Sequence, residues 1–355
     1  MNYHAGDESV MIEKLDIDDW LLARQLDGKY GIQIEHIMFI PFGDSAYSYQ
    51  VTCKDGERYY LKVFDHNNDN QRRGITRLND YLPILSHMHS TGLFINLAYP
   101  IETVDGDLIG ELSECTGVLF NYIEGDTLAE VYPFSDEIVE TVAQLMARLH
   151  TVTLDVALDT LTDTYDISFA DELKVCLYDL EFTDTGCDLF LAAVKQQVLS
   201  EKDRIYELID LTCVLRESVA LDGSSLVLCH GDVWGGNMIQ HNRQLYLIDW
   251  ESMQVAPREL DFINYLGQEF ERFYQSYTKQ LGYAVSLNTD ILRFYSYRHH
   301  LRNLNNWLRN ILYRNSDIRQ KENDLVMIRE HCMDRWELIE PRLALVEAVV
   351  RRSRQ

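Results

Sequence analysis

The sequence predicts an α+β chain in two lobes: a small lobe built on a five-stranded antiparallel sheet with one main helix, then a larger, mostly helical lobe. Three observations carry that expectation. Strand-like runs crowd into residues 34–64, helical periodicity dominates from residue 135 onward, and two short β runs near 226–229 and 244–248 flank a glycine-rich loop.

The elements follow in order. Asp18 to Leu26 has helical periodicity and is expected to close near Gly28. Ile34 to Phe42, Tyr47 to Cys53 and Arg58 to Phe64 read as strands, the last two joined at Lys54-Asp55-Gly56, because Asp-Gly supplies the positive φ angles of a tight hairpin. A helix is expected over Arg72 to Thr91, with Pro83 as a kink point. Strands at Leu97 to Ile101 and Thr116 to Tyr122 would complete the sheet. Ser135 to His150 places Val139, Val142, Leu145, Met146 and Leu149 on one helical face. Residues 166–219 read as further helices, and from Arg258 the chain is almost wholly helical up to a basic tail at Arg351, Arg352 and Arg354. The expected lobes are residues 1–124 and 125–355.

Composition excludes several classes of partner. The 355 residues carry 32 Lys+Arg against 57 Asp+Glu, a formal net charge of −25. Such a surface repels polyanions, which argues against nucleic acid and anionic membranes. Met1 to Lys14 contains Asp7, Glu8 and Glu13 and no apolar core, and there is no apolar run of about 18 residues anywhere. Seven scattered cysteines without a C-x-x-C pair argue against structural zinc and a disulfide framework. The expectation is a cytoplasmic protein with reduced thiols.

The chemistry concentrates in Leu228-Cys229-His230-Gly231-Asp232-Val233-Trp234-Gly235-Gly236-Asn237, followed by Tyr246-Leu247-Ile248-Asp249-Trp250-Glu251. Phosphoryl transfer needs a group that orients the attacking hydroxyl and oxygen ligands for Mg²⁺. Asp232 suits the first role; Asn237 and Asp249 suit the second. Gly235 and Gly236 would let the loop turn sharply, and His230 would brace it.

The pattern H-G-D-x-x-x-x-N followed by I-D-W-E resembles the catalytic signature of the aminoglycoside phosphotransferase and choline kinase family. The order of segments is most similar to spectinomycin phosphotransferases. The resemblance implies a protein-kinase-like fold and a kinase that moves the γ-phosphoryl group of ATP or GTP to a hydroxyl of an aminoglycoside-like or other small polar acceptor. Asp232 is then the catalytic base, with Asn237 and Asp249 as Mg²⁺ ligands. It also implies that Lys62, in Tyr60-Leu61-Lys62-Val63, binds the α- and β-phosphates, that Gly43 and Ser45 belong to the loop over the phosphates, and that Asn121 and Ile123 lie in the hinge that binds the purine. Leu145-x-x-x-Leu149-His150 matches the family's helix after the hinge, with His150 as a structural residue at its end, and Asp261 matches a position that braces the catalytic loop.

One element departs from the family. No Glu lies between Phe64 and Pro100 to pair with the strand lysine, and Asp80, with Asp69 behind it, is the best-placed substitute. The acceptor stays open among aminoglycosides, choline, homoserine, methylthioribose and fructosamines. A non-catalytic nucleotide-binding protein on the same fold is the reading from another class. Glu251, Glu269 and Glu271 are candidates to select a cationic acceptor. The aromatic and basic stretch from Phe294 to Trp307 either lines the acceptor cleft or packs a core.

Overall fold

The structure is a computed structural model that describes residues 14–41, 45–154, 159–314 and 317–353, the side chains of 69, 70 and 159 aside. Its elements, in chain order, are α1 (Asp19–Tyr30), β1 (Ile34–Ile40), β2 (Tyr47–Cys53), β3 (Arg58–Asp65), α2 (Asp69–Thr91), β4 (Gly110–Leu112), β5 (Cys115–Asn121), β6 (Asp126–Thr127) and α3 (Asp136–Leu149). Then come α4 (Phe169–Phe182), α5 (Leu189–Ser200), α6 (Lys202–Ala220), β7 (Leu226–Cys229), β8 (Met238–His241), β9 (Gln244–Leu247) and β10 (Gln254–Pro257). The chain ends in α7 (Phe270–Leu281), α8 (Thr289–Arg309), α9 (Ile318–Met327), α10 (Asp334–Trp336) and α11 (Ile339–Ser353). Among the described residues, no helix is long and apolar enough to cross a membrane.

The chain divides into two compact units. One holds residues 1–161 and 230–254; the other holds 162–229 and 255–355.

In the first unit five strands, four of them expected, form one antiparallel sheet in the order β1-β2-β3-β5-β4. Alternation along β3 sorts its side chains. Leu61 and Val63 join Tyr49, Val51 and Leu119 in a core closed by Leu22, Leu26 and Tyr30 of α1. Lys62 and Phe64 point to the opposite face, where the Phe64 ring lies against Gly74 of α2. That alternation places the lysine on the α2 side of the sheet.

Two boundaries differ from expectation. The first helix runs through Gly28 to Tyr30, and it is Gly31, at φ 65°, that ends it by donating its N–H to the Asp27 carbonyl at 2.9 Å. Leu97 to Ile101 is not a sheet strand. Pro100 has no N–H to give a ladder, and the segment instead links two partners: Ala98 N–H donates to Leu247 O at 2.9 Å and Ile101 N–H to Leu119 O at 2.7 Å. The remaining strand is the three-residue β4, too short to show periodicity. It pairs with β5 across Ser113 at φ 53°.

The second unit is helical around α8, which packs against α4, α6 and α11. Phe294, Tyr295, Tyr297 and Leu301 are buried, so this part of the Phe294–Trp307 stretch packs a core. Its Arg298 does not reach solvent. The guanidinium lies 3.1 Å from Asp163, which also accepts from the Tyr295 hydroxyl at 3.0 Å.

Candidate active site

Apart from Glu271 and its partner Arg352, the residues described below belong to the first unit. The loop from His230 to Asn237 is held by its own polar groups. Asp232 N–H donates to His230 Nδ1 at 3.3 Å, so the ring's other nitrogen carries the proton and Nε2 donates to Ile248 O at 3.0 Å. The Trp250 ring packs on His230 with centroids 4.6 Å apart, and its Nε1–H donates to Leu247 O at 3.1 Å. His230 therefore braces the loop against the segment that carries Asp249.

Asn237 closes the loop on Asp232. Its Nδ2 donates to the Asp232 carbonyl at 2.9 Å and to Asp232 Oδ2 at 2.8 Å. The Asn237 carbonyl in turn accepts from Ile248 N–H at 3.0 Å, directly before Asp249. The three residues expected to act together are thus linked through one short hydrogen-bonded path.

The glycines serve differently from expectation. The left-handed turn belongs to Gly231, at φ 85°, where a Cβ would stand 2.1 Å from the Ser252 carbonyl oxygen. Gly235 is needed for close approach to the backbone of Leu128, while Gly236 makes room for the Trp234 ring. A Cβ on Gly235 would meet Leu128 O at 2.4 Å, and one on Gly236 would meet the Trp234 indole at 2.2 Å. Tyr132 seals this side of the loop by accepting the Gly235 N–H at 2.8 Å. Sequence patterning gave no sign of Tyr132, because its partner lies over a hundred residues away.

Lys62 is 8% exposed and lies between two carboxylates. Its Nζ donates to Asp249 Oδ1 at 2.8 Å and to Glu251 Oε1 at 2.6 Å. Ser45 Oγ donates to the same Glu251 oxygen at 3.0 Å. Burial alone would lower the lysine's pKa, but Asp249 and Glu251 outweigh it and hold the ammonium well above its ordinary value. Desolvation pushes the Asp249 carboxyl up, while Lys62, with His230 adding, more than offsets this and leaves it below the usual carboxylate range. Asp249 itself takes the left-handed conformation, φ 61° and ψ 65°, which Asp tolerates better than most residues.

Other expected residues fall differently. Gly43 lies outside the described residues. Asp80, half-buried on α2, is not among Lys62's partners; its neighbour Tyr81 is buried, and that burial pushes its hydroxyl pKa up. Asn121 gives its N–H to the Tyr99 carbonyl at 3.1 Å and accepts the Tyr99 N–H on its Oδ1 at 2.7 Å, which fixes the 96–101 connector. Ile123 follows β5, outside the ladder. Glu251, expected to face an acceptor, is engaged by Lys62 and Ser45. Glu271 pairs with Arg352 at 3.3 Å.

The donor set suits a hard divalent cation. Asp249 supplies a carboxylate, and Asn237, with its amide nitrogen committed to Asp232, presents an amide oxygen; Mg²⁺ prefers such ligands.

The sequence matches, over residues 36–295, a family described as the phosphotransferase enzyme family. A comparison with curated proteins returns no match. Solved structures are similar in fold. A spectinomycin phosphotransferase in complex with ADP and spectinomycin has a TM-score of 0.74 at 20% identity, covering 89% of this chain and 95% of that one. An amicoumacin kinase in complex with AMP-PNP and Ca²⁺ gives 0.61 at 14%, covering 89% and 94%. An aminoglycoside phosphotransferase from Alicyclobacillus acidocaldarius gives 0.58 at 16%, covering 96% and 98%. The shared architecture is the two-lobed protein-kinase-like fold.

Proposed function

The chain belongs to the phosphotransferase enzyme family, and from that premise we propose that it is a small-molecule kinase that moves the γ-phosphoryl group of ATP or GTP onto a hydroxyl of a small polar acceptor, as spectinomycin and aminoglycoside phosphotransferases do. The observation that carries the reading is the linked set of Asp232, Asn237, Asp249 and Lys62.

Each residue has a physical task. Asp232, fixed by Asn237 and His230, orients the acceptor hydroxyl and takes its proton as the new P–O bond forms. Lys62 lowers the cost of gathering phosphate charge, and Ser45 and the loop it belongs to cover the phosphates. Asn237 and Asp249 would hold Mg²⁺, which when bound neutralises phosphate charge. The purine would meet backbone groups after β5, near Ile123. Residues 1–124 would then serve the nucleotide and 125–355 the catalytic loop and the acceptor. The acceptor side of the loop presents Trp234, 42% exposed, and Tyr132, 51% exposed; these aromatic faces suit a ring or a cationic group.

A screen of spectinomycin, aminoglycosides, choline, homoserine, methylthioribose and ketosamines for nucleotide- and Mg²⁺-dependent phosphorylation tests the proposal. It is expected to yield a phosphorylated small molecule. Nucleotide binding without transfer to any acceptor would favour the non-catalytic reading.

A further inference from the structure

Lys62 takes both of its carboxylate partners from one short segment, and neither from α2. That helix carries no Glu. Its Tyr81 is buried, and one turn earlier Arg77 donates to the Met253 carbonyl at 2.9 Å. Helix α2 therefore docks on the segment that follows Asp249, and that segment reaches the lysine.

The two carboxylates are not equivalent. Asp249 is the residue expected to turn to a divalent cation, and a carboxylate oxygen so engaged holds an ammonium less well. Glu251 is the partner that stays. The oxygen that accepts from Lys62 at 2.6 Å also accepts from Ser45 at 3.0 Å, so one side chain ties the strand lysine to the loop between β1 and β2. Its support is rigid: Glu251 lies in the turn Trp250–Ser252, and Trp250 is 2% exposed, wedged against His230 and the edge of Phe94.

We propose that Glu251 is the positioning residue for Lys62, supplying from the turn after Asp249 the carboxylate that α2 lacks. The proposal rests on the kinase reading and deepens it.

A double-mutant cycle read by calorimetric ADP affinity in Mg²⁺ tests it, using wild type, Glu251→Gln, Lys62→Met and the double variant. In the Lys62 background Glu251→Gln is expected to weaken ADP binding about tenfold, and in the Lys62→Met background to change it no further. Glu251→Asp, which keeps the charge, should stay within about threefold of wild type and serves as the folded control. Equal losses in both backgrounds would mean that Glu251 acts on the metal or the nucleotide directly, and unchanged or tighter binding would remove it as a positioning residue; either result overturns the proposal. A wild-type protein that binds no ADP overturns the kinase reading itself.

Discussion

Asp232 receives two constraints from its own loop, the Asn237 amide on its carboxylate and the His230 ring on its N–H. A carboxylate held this way is oriented before an acceptor arrives. Asp232→Ala is therefore expected to lower kcat about 10²–10⁴-fold while nucleotide affinity changes little, as read by steady-state kinetics and calorimetry. Asp249→Ala should do the opposite in kind: it removes a metal ligand and a lysine partner together. Affinity for Mg²⁺-nucleotide should fall, and unchanged binding would take Asp249 out of the site. Gly231→Ala forces a side chain to within 2.1 Å of the Ser252 carbonyl at a left-handed φ. It should cost about 1–3 kcal/mol of stability, visible as a lower Tm, and displace Asp232 enough to reduce turnover.

Helix α3 follows directly from its residues: Ser135 Oγ accepts the Ile138 N–H at 3.3 Å, and Val139, Val142, Leu145, Met146 and Leu149 are all buried. Ser135→Ala should cost about 1 kcal/mol, measured by denaturant titration. This helix, the first three strands and the loop from His230 to Asn237 were legible in the sequence because each announces itself locally, through periodicity, a hairpin turn or motif spacing. What was not legible depends on distant partners. Leu97–Ile101 has strand-like residues but bonds to both β5 and the end of β9. The three-residue β4 exists only because β5 offers it a ladder. Glu251 was visible as a carboxylate near the metal motif, yet that its partner is a lysine 189 residues away depends on the sheet and the loop folding together. Asp80 was the natural substitute by position along α2, but the lysine takes its carboxylates from Asp249 and Glu251 instead.

Across the whole molecule, charge and burial set the response to pH. Burial pushes the pKa of His299 down to about 4, with Arg302 and Arg335 adding, and that of His300 to about 3, with His299 adding. Both imidazoles are neutral in the folded protein, whereas an unfolded chain protonates them below about 6.5. The unfolded state then binds more protons, so these groups make stability fall as pH drops from about 6.5 towards 4. His300→Gln, whose amide can still donate to the His331 carbonyl, should flatten that slope in unfolding titrations at pH 7 and pH 5. The net charge of −25, which argues against polyanionic partners in general, meets its exception in Lys62, a buried cation flanked by two carboxylates. That arrangement makes sense if a nucleotide with its metal completes it. The most direct measurement is transfer of the γ-phosphoryl group from labelled nucleotide to the best acceptor of the screen, wild type beside Asp232→Ala. Mg²⁺-dependent label on the small molecule, lost in the variant while both proteins bind ADP alike, is the result expected; equal transfer by the two proteins would contradict Asp232 as the base.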